Sequence, residues 1–255
     1  MTQWVRFEYR GTIGFGTVDG TSIVLHAGDL FDSPRPFGGT LQVADVKPLM
    51  PVIPGKMVAL VDNYHALVTK LAHAVPKDPL YFLKSNSSFI GPGDVIRAPA
   101  SYQGKVVYEG ELGIVIGKRC RGVSEAEAAA HIFGYTCVND VTAAEILNKD
   151  AGFAQWTRAK SFDTFGVVGP AIATGIDPMA LSIRTVLNDQ ERQNYPVSDI
   201  VFAPAKLVSL ISRDMTLEPG DVIACGTSVG VGSMKPGSTV SIIIDGIGPL
   251  TNRYE

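Results

Sequence analysis

Hydrophobic and polar residues alternate from the start of the chain. Val5, Phe7 and Tyr9 are interleaved with Arg6, Glu8 and Arg10, the period-two pattern of a half-buried strand. Asp19-Gly20 is a hairpin turn signal between stretches at 14–18 and 22–25. These segments predict a small β-meander that closes near residue 30. The stretch Asp32-Ser33-Pro34-Arg35-Pro36-Phe37-Gly38-Gly39 then reads as a linker, with irregular chain to about residue 50. A small N-terminal β domain over 1–50 is therefore expected ahead of a main domain over 55–255.

The main domain opens with a strand at 56–61. Leu67, Val68 and Leu71 follow at helical spacing and predict a short helix within 64–74. Ser124-x-x-Glu127 is a capping box ahead of an alanine-rich helix ending near His131. Another short helix is predicted from about Thr142 to Asn148. Pro204 suits the first turn of a helix carrying Leu207, Val208, Leu210 and Ile211. Strands are predicted at 107–116, 133–138, 184–187, 222–225 and 239–244, with a turn at 188–190. Pro-Gly pairs at 92–93, 219–220 and 236–237 each feed a strand, because proline fixes φ at one turn position and glycine supplies φ > 0 at the next. The pattern is that of a mixed α+β, strand-rich chain with a few short helices.

Composition narrows the class without naming a chemistry. Across 255 residues the apolar fraction is 45% and the charged fraction 18%, ordinary for a globular protein with a sizeable core. A formal net charge of −3 gives no reason to expect a nucleic-acid or anionic-membrane partner. Cys120, Cys137 and Cys225 are odd in number and form no CxxC pair, so they read as reduced thiols of a cytoplasmic protein. The first residues, MTQWVRFEYRG, lack the apolar core of a signal peptide, and no apolar run is long enough to predict a membrane span.

The candidate chemistry lies between Val107 and Pro170. Glu109 and Glu111 interrupt an apolar strand and, two residues apart, point to one face. Paired carboxylates in a buried strand are costly unless a cation or added protons neutralise them; on a solvated face they are ordinary surface acids. The strand at 133–138 delivers Asn139-Asp140 at its end, where Asp140 is either a third acid or the N-cap of the next helix. The run from Trp156 to Phe165, read as a strand, brings Lys160 to the same neighbourhood, with Arg158 on its face; a lysine is otherwise a solvated charge. Three carboxylate oxygens suit a hard cation, Mg2+ or Mn2+, and no Cys or His cluster points to zinc. Gly226-Thr227-Ser228-Val229-Gly230-Val231-Gly232 is either an anion-binding loop or a plain glycine turn.

At these residues the chain resembles the fumarylacetoacetate hydrolase family. The resemblance rests on the Glu-x-Glu of YEGELGIVIGK, on NDVTA at 139–143, on QWTRAKSFDTFGVVGP at 155–170, on LEPGDVIACGT at 217–227 and on GIGPLTN at 246–252. It implies a β-roll like the family's C-terminal domain, a homodimer, and a metal-dependent enzyme acting on 2-oxo or 1,3-dicarbonyl acids. Glu109, Glu111 and Asp140 match the metal ligands, and Lys160 the active-site lysine, with Asp163 as a residue that could orient it. A nearby cation is expected to lower the pKa of Lys160. Tyr64, Gln155, Gly226 and Thr227 are the matched positions expected to bind substrate, Thr227 through the substrate carboxylate.

Three departures stand out. Ser228 replaces a common proline, which is expected to loosen the loop. The family's hydrolases carry Asn-Tyr-x-x-His-x-x-Glu on a mobile lid whose His and Glu activate water; here Asn63-Tyr64 is followed by Leu67 and Lys70 at those two positions, and His65 or His73 would have to supply the base. Leu147 stands where many members place a substrate-contacting glutamine. The resemblance implies, first, C–C bond hydrolysis of an acylpyruvate-type 2,4-dioxo acid through a metal-chelated enolate. The alternatives are isomerisation or decarboxylation of a related diacid of aromatic catabolism, and a non-catalytic metal- and ligand-binding protein.

Overall fold

A computed structural model describes residues 1–255. Its centre is a 12-stranded sheet. Strand Gly110–Ile116 lies between Ile132–Asp140 and Val222–Ala224, and every one of its residues is buried. Leu112, Ile114 and Ile116 pack into the larger core on one face, with Ile183, Ile242 and Ile244 from a second, five-stranded sheet. Val115 packs on the opposite face with Met57, Val138 and Val168. Burial on both faces is why this strand reads as a continuous apolar run rather than an alternating one.

Beyond Val222–Ala224 the sheet continues through Met57–Val61 to Leu80–Lys84 at its edge. In the other direction Gly166–Thr174 pairs with Thr2–Tyr9, so the N-terminal strands extend the main sheet. The meander there has four strands and closes at residue 42, not 30. The proline- and glycine-rich stretch expected to be a linker is the strand Asp32–Gln42, paired with Ser22–Asp29 through two register shifts. It is the outermost strand, where proline's missing N–H can face solvent, so composition alone mistook an edge strand for a loop. The first hairpin turns on Arg10-Gly11, both at positive φ (50° and 77°), the left-handed pair that a two-residue turn of this hand demands. The next turns on Gly20-Thr21, one residue later than expected, because Asp19 pairs with Ser22.

Five short α-helices decorate the sheets: α1 (His65–Lys70), α2 (Glu125–Ala128), α3 (Ala144–Leu147), α4 (Trp156–Lys160) and α5 (Pro204–Asp214). Both halves of the capping box form at α2: Ser124 accepts the Glu127 N–H, and the Glu127 carboxylate accepts the Ser124 N–H. α5 begins at Pro204 as read, and buries Leu207, Val208 and Ile211. Two expectations fail near the site. Residues 156–160 are helical, not a strand; the buried residues Ala159 and Lys160 are adjacent, a pairing that a strand's alternation cannot place on one side. The strand expected over 107–116 breaks at Glu109. Val106–Tyr108 belongs to a three-stranded sheet with Thr142–Ala143 and Gly232–Ser233, and only Gly110 onward joins the main one.

Candidate metal centre

Glu109, Glu111 and Asp140 converge where these sheets meet. Each offers one carboxylate oxygen, and the three atoms lie within 4.8 Å of one another. Backbone pairing sets this up: the Asp140 N–H donates to the Glu109 carbonyl at 2.9 Å, and the Glu109 N–H donates to Asn139 Oδ1 at 3.0 Å. Two ammonium groups lie against the cluster. Lys160 Nζ is 2.6 Å from both Glu109 Oε2 and Asp140 Oδ2, and Lys84 Nζ is 2.5 Å from Asp140 Oδ1. Lys84 also donates to the Lys160 carbonyl, tying the end of α4 to the sheet edge. Above that tie, Trp156 stacks on Phe82, with ring centroids 5.5 Å apart.

The electrostatics separate the three acids. Burial pushes the Glu111 carboxyl well above the usual carboxylate range, with the Asp140 and Glu109 charges adding to the shift. Glu109 is raised by burial too, against the pull of Lys160. For Asp140 burial acts upward, but Lys160 and Lys84 together outweigh it and hold the carboxyl low. Without a bound cation, burial disfavours the Lys160 charge, yet Asp140 and Glu109 keep the ammonium above its ordinary range. Lys84 is lowered by burial, opposed by Asp140.

Glu111 carries the test of whether a metal fits. Its Oε2 accepts the Gly226 N–H at 2.8 Å, while its Oε1 is buried with no hydrogen-bond partner. A buried acceptor left empty costs about 1–3 kcal/mol. An all-oxygen cluster with one orphaned carboxylate atom fits a hard divalent cation such as Mg2+ or Mn2+.

A pocket of about 220 Å³ reaches this cluster, ending on Glu109, Lys160 and Thr227. The other expected site residues fall into distinct places. Gly226, at φ +88°, turns its N–H back onto Glu111, so it positions a ligand and has no donor left for substrate. Thr227 faces the pocket, but Tyr64 does not: its ring is fully buried and meets Tyr195 edge-on at 4.9 Å. Gln155 caps α4 through its carbonyl, which accepts the Ala159 N–H, while its own N–H donates to the Leu147 carbonyl. His65 is exposed at the start of α1 and makes no hydrogen bond. Asp163 is exposed rather than paired with Lys160. At Ser228 the loop is held by Gln193, whose Nε2 donates to Thr227 Oγ1 and to the Ser228 carbonyl, while the Ser228 hydroxyl is buried without a partner.

Lys84 and Gln193 were missed in the sequence. Gln193 is buried in strand Gln190–Pro196; its Oε1 accepts the Gly110 N–H and its Nε2 reaches Thr227, so it links the Glu-x-Glu backbone to the glycine loop. The available signal was inward register. Phe82 and Lys84 share the buried face of their strand, as Gln193 and Tyr195 share theirs.

A family model described as fumarylacetoacetate (FAA) hydrolase C-terminal matches residues 56–255. The chain belongs to the fumarylacetoacetate hydrolase family. A second model, described as Rv2993c-like, N-terminal, matches residues 2–51. An uncharacterised protein of Archaeoglobus fulgidus is 43% identical over 97% of this chain and 94% of its own length. Among solved structures, a 2-hydroxyhepta-2,4-diene-1,7-dioate isomerase from Mycobacterium marinum is 39% identical, with a TM-score of 0.91 over 100% of this chain and 98% of that one. A maleylpyruvate hydrolase from Sphingobium is 28% identical, with a TM-score of 0.80 over 99% and 98%. Hydrolases and isomerases thus share this fold, and no helix of the chain is long and apolar enough to cross a membrane.

Proposed function

We propose that the chain is a divalent-metal-dependent hydrolase that cleaves a carbon–carbon bond of a 2,4-dioxo acid of the acylpyruvate type. Mg2+ or Mn2+ would be held by Glu109, Glu111 and Asp140. The observation that carries this reading is the orphaned Glu111 Oε1, in a carboxylate cluster whose Glu109 lines a pocket that also meets Lys160 and Thr227. Charge supports it as well. With Glu111 ionised by metal binding, three carboxylates face two ammonium groups and leave one negative charge; a divalent cation makes it one positive, which a monoanionic 2-oxo acid neutralises.

When bound, the ion would act as a Lewis acid toward the oxygens of a 2-oxo acid. Lys160, kept protonated by its carboxylates, places positive charge where negative charge develops on the substrate, and holds a proton on Nζ for the departing carbon. The Thr227 hydroxyl is spent, accepting from Gln193 and donating to the Gly110 carbonyl, so the Thr227 backbone N–H is what it offers the substrate carboxylate. Hydrolysis also needs a base for water, and we assign His73 rather than His65. Its Nδ1 is 2.8 Å from Oδ2 of Asp62, a residue of the pocket wall, which leaves Nε2 free to take a proton.

One observation favours a second reading, isomerisation. Leu67, at the position of the family's water-activating histidine, lies in the pocket wall, and proton transfer within a substrate needs no activated water. Decarboxylation draws on the same acids. A homodimer is part of the proposal and is read by sedimentation velocity. The deciding experiment combines Mn2+ calorimetry with acetylpyruvate hydrolysis followed by absorbance, in wild type and in Glu111→Ala. The reading expects metal-dependent turnover and a loss of at least about 100-fold in Mn2+ affinity in the variant. Unchanged affinity removes Glu111 from the site; bound metal without turnover of any 2-oxo acid leaves the non-catalytic alternative.

A further inference from the structure

Above its charged floor the pocket changes character. Leu67 of α1 and Leu71 just after it, Leu147 of α3, Trp156 of α4 and Val231 of the glycine loop form its walls. Lys160 is the only cationic side chain lining it, and that ammonium is already engaged by Glu109 and Asp140. The one charge on the upper wall is Asp62, a carboxylate, whose partner His73 offers at most a shared positive charge. Lys70 and Arg158, the basic residues of α1 and α4 nearest in sequence, are exposed and outside the wall.

Behind Trp156 and Val61 the apolar surface continues. These two residues also line a neighbouring cleft of about 390 Å³, completed by Pro79, Leu80, Tyr81 and Phe82. A chain anchored at the carboxylate cluster and leaving past Trp156 meets carbon on both sides.

We infer that the substrate's far end is an uncharged, apolar chain or ring, seated between α1 and Trp156 and extending toward the Pro79–Phe82 cleft. This rests on the proposed 2-oxo acid site and deepens it. A distal carboxylate would exchange part of its water for leucine and tryptophan, face Asp62, and find no free cation, which disfavours binding. The mycobacterial neighbour named for a heptadiene-dioate carries such a second carboxylate in its named substrate, so the proposal parts this chain from that protein on the substrate's distal group.

The test uses Mn2+-loaded protein and calorimetric titration with three ligands: pyruvate, 2-oxooctanoate, and 2-oxooctanedioate, which has the same length but ends in a carboxylate. The monoacid is expected to bind at least about tenfold more tightly than both pyruvate and the diacid, since its methylenes are buried and its end is uncharged. Leu147→Arg, and separately the more exposed Val231→Arg, should narrow or reverse the preference by giving the diacid a cation. Two variants guard against one that fails to fold. Tight pyruvate binding with equal affinity for the two eight-carbon acids, or a preference for the diacid, overturns the apolar-tail proposal and leaves the functional reading standing. Failure of all three to bind metal-loaded protein overturns both.

Discussion

The floor and the rim of the pocket are built on different principles. The floor is carried by strands locked into ladders on both sides, and its charges answer one another: Glu109 and Asp140 to Lys160, Asp140 to Lys84, Glu111 to the Gly226 N–H. The rim is carried by helices of four to six residues, too short to be stable alone, although α4 also delivers Lys160 to the floor. It is also strained: Asp62 and Ala72, on either side of α1, sit at φ +52° and +54°, where a residue with a side chain pays roughly 1–2 kcal/mol. A floor with many mutual dependencies tolerates few changes, whereas a loosely built rim can exchange His for Leu67 and Gln for Leu147 without disturbing it. In the proposed function the chemistry is set below and the choice of substrate above.

The largest expected effect comes from cutting a mutual dependency in the floor. Lys84→Met leaves Asp140 with one cation in place of two, and breaking a fully buried pair costs about 3–5 kcal/mol. Urea denaturation should show this loss in metal-free protein and a partial recovery in excess Mg2+; a change under about 1 kcal/mol would mean Lys84 is not charged there. Next, Lys160→Met should keep Mn2+ and substrate-analogue binding while kcat falls at least about 100-fold. Wild-type turnover in that variant would remove Lys160 from the chemistry.

The third prediction concerns pH. Burial first, then Asp140 and Glu109, raises the Glu111 carboxyl in the folded state, so above the ordinary value of 4.5 the folded chain holds a proton that the unfolded chain has lost. The folded state binds more protons there, hence metal-free stability falls as pH rises toward the raised pKa, and is fully present only below about 4.5. A cation replaces that proton, so the Mg2+-induced gain in Tm should grow from pH 5.5 to pH 8. A gain that shrinks over this range contradicts the assignment. The smallest effect is expected at the rim. Leu67→His with Lys70→Glu should raise acetylpyruvate hydrolysis about 10-fold, or ~1.4 kcal/mol of barrier, relative to deuterium uptake at C3 followed by NMR. If hydrolysis is already brisk and is lost in His73→Ala, the base is His73, as proposed.

The same contrast explains what the sequence revealed. Strand Thr239–Ile244 and the start of α5 at Pro204 agree with the reading to the residue, because alternation and proline chemistry are local signals. Lys84 was invisible because a lysine on a short edge strand ordinarily marks solvent; only tertiary closure by α4 turns it inward. Gln193 hides for a similar reason, since its five polar contacts are all remote in sequence or across a turn. α4 was misread because five residues carry too little periodicity to separate helix from strand.

Glu109 has a further consequence that follows from where the strand breaks. The chain leaves the three-stranded sheet after Tyr108 and enters the main sheet at Gly110; the neighbouring segment of the same chain crosses the other way, from Ile132–Asp140 to Thr142–Ala143. Both crossings happen at the acids themselves, so an ion bound there rivets the seam between two layers. Its binding free energy is then also cohesion between the layers. Amide hydrogens of Val106–Tyr108 and Gly232–Ser233 should exchange with solvent fastest when the rivet is out, long before the main sheet opens.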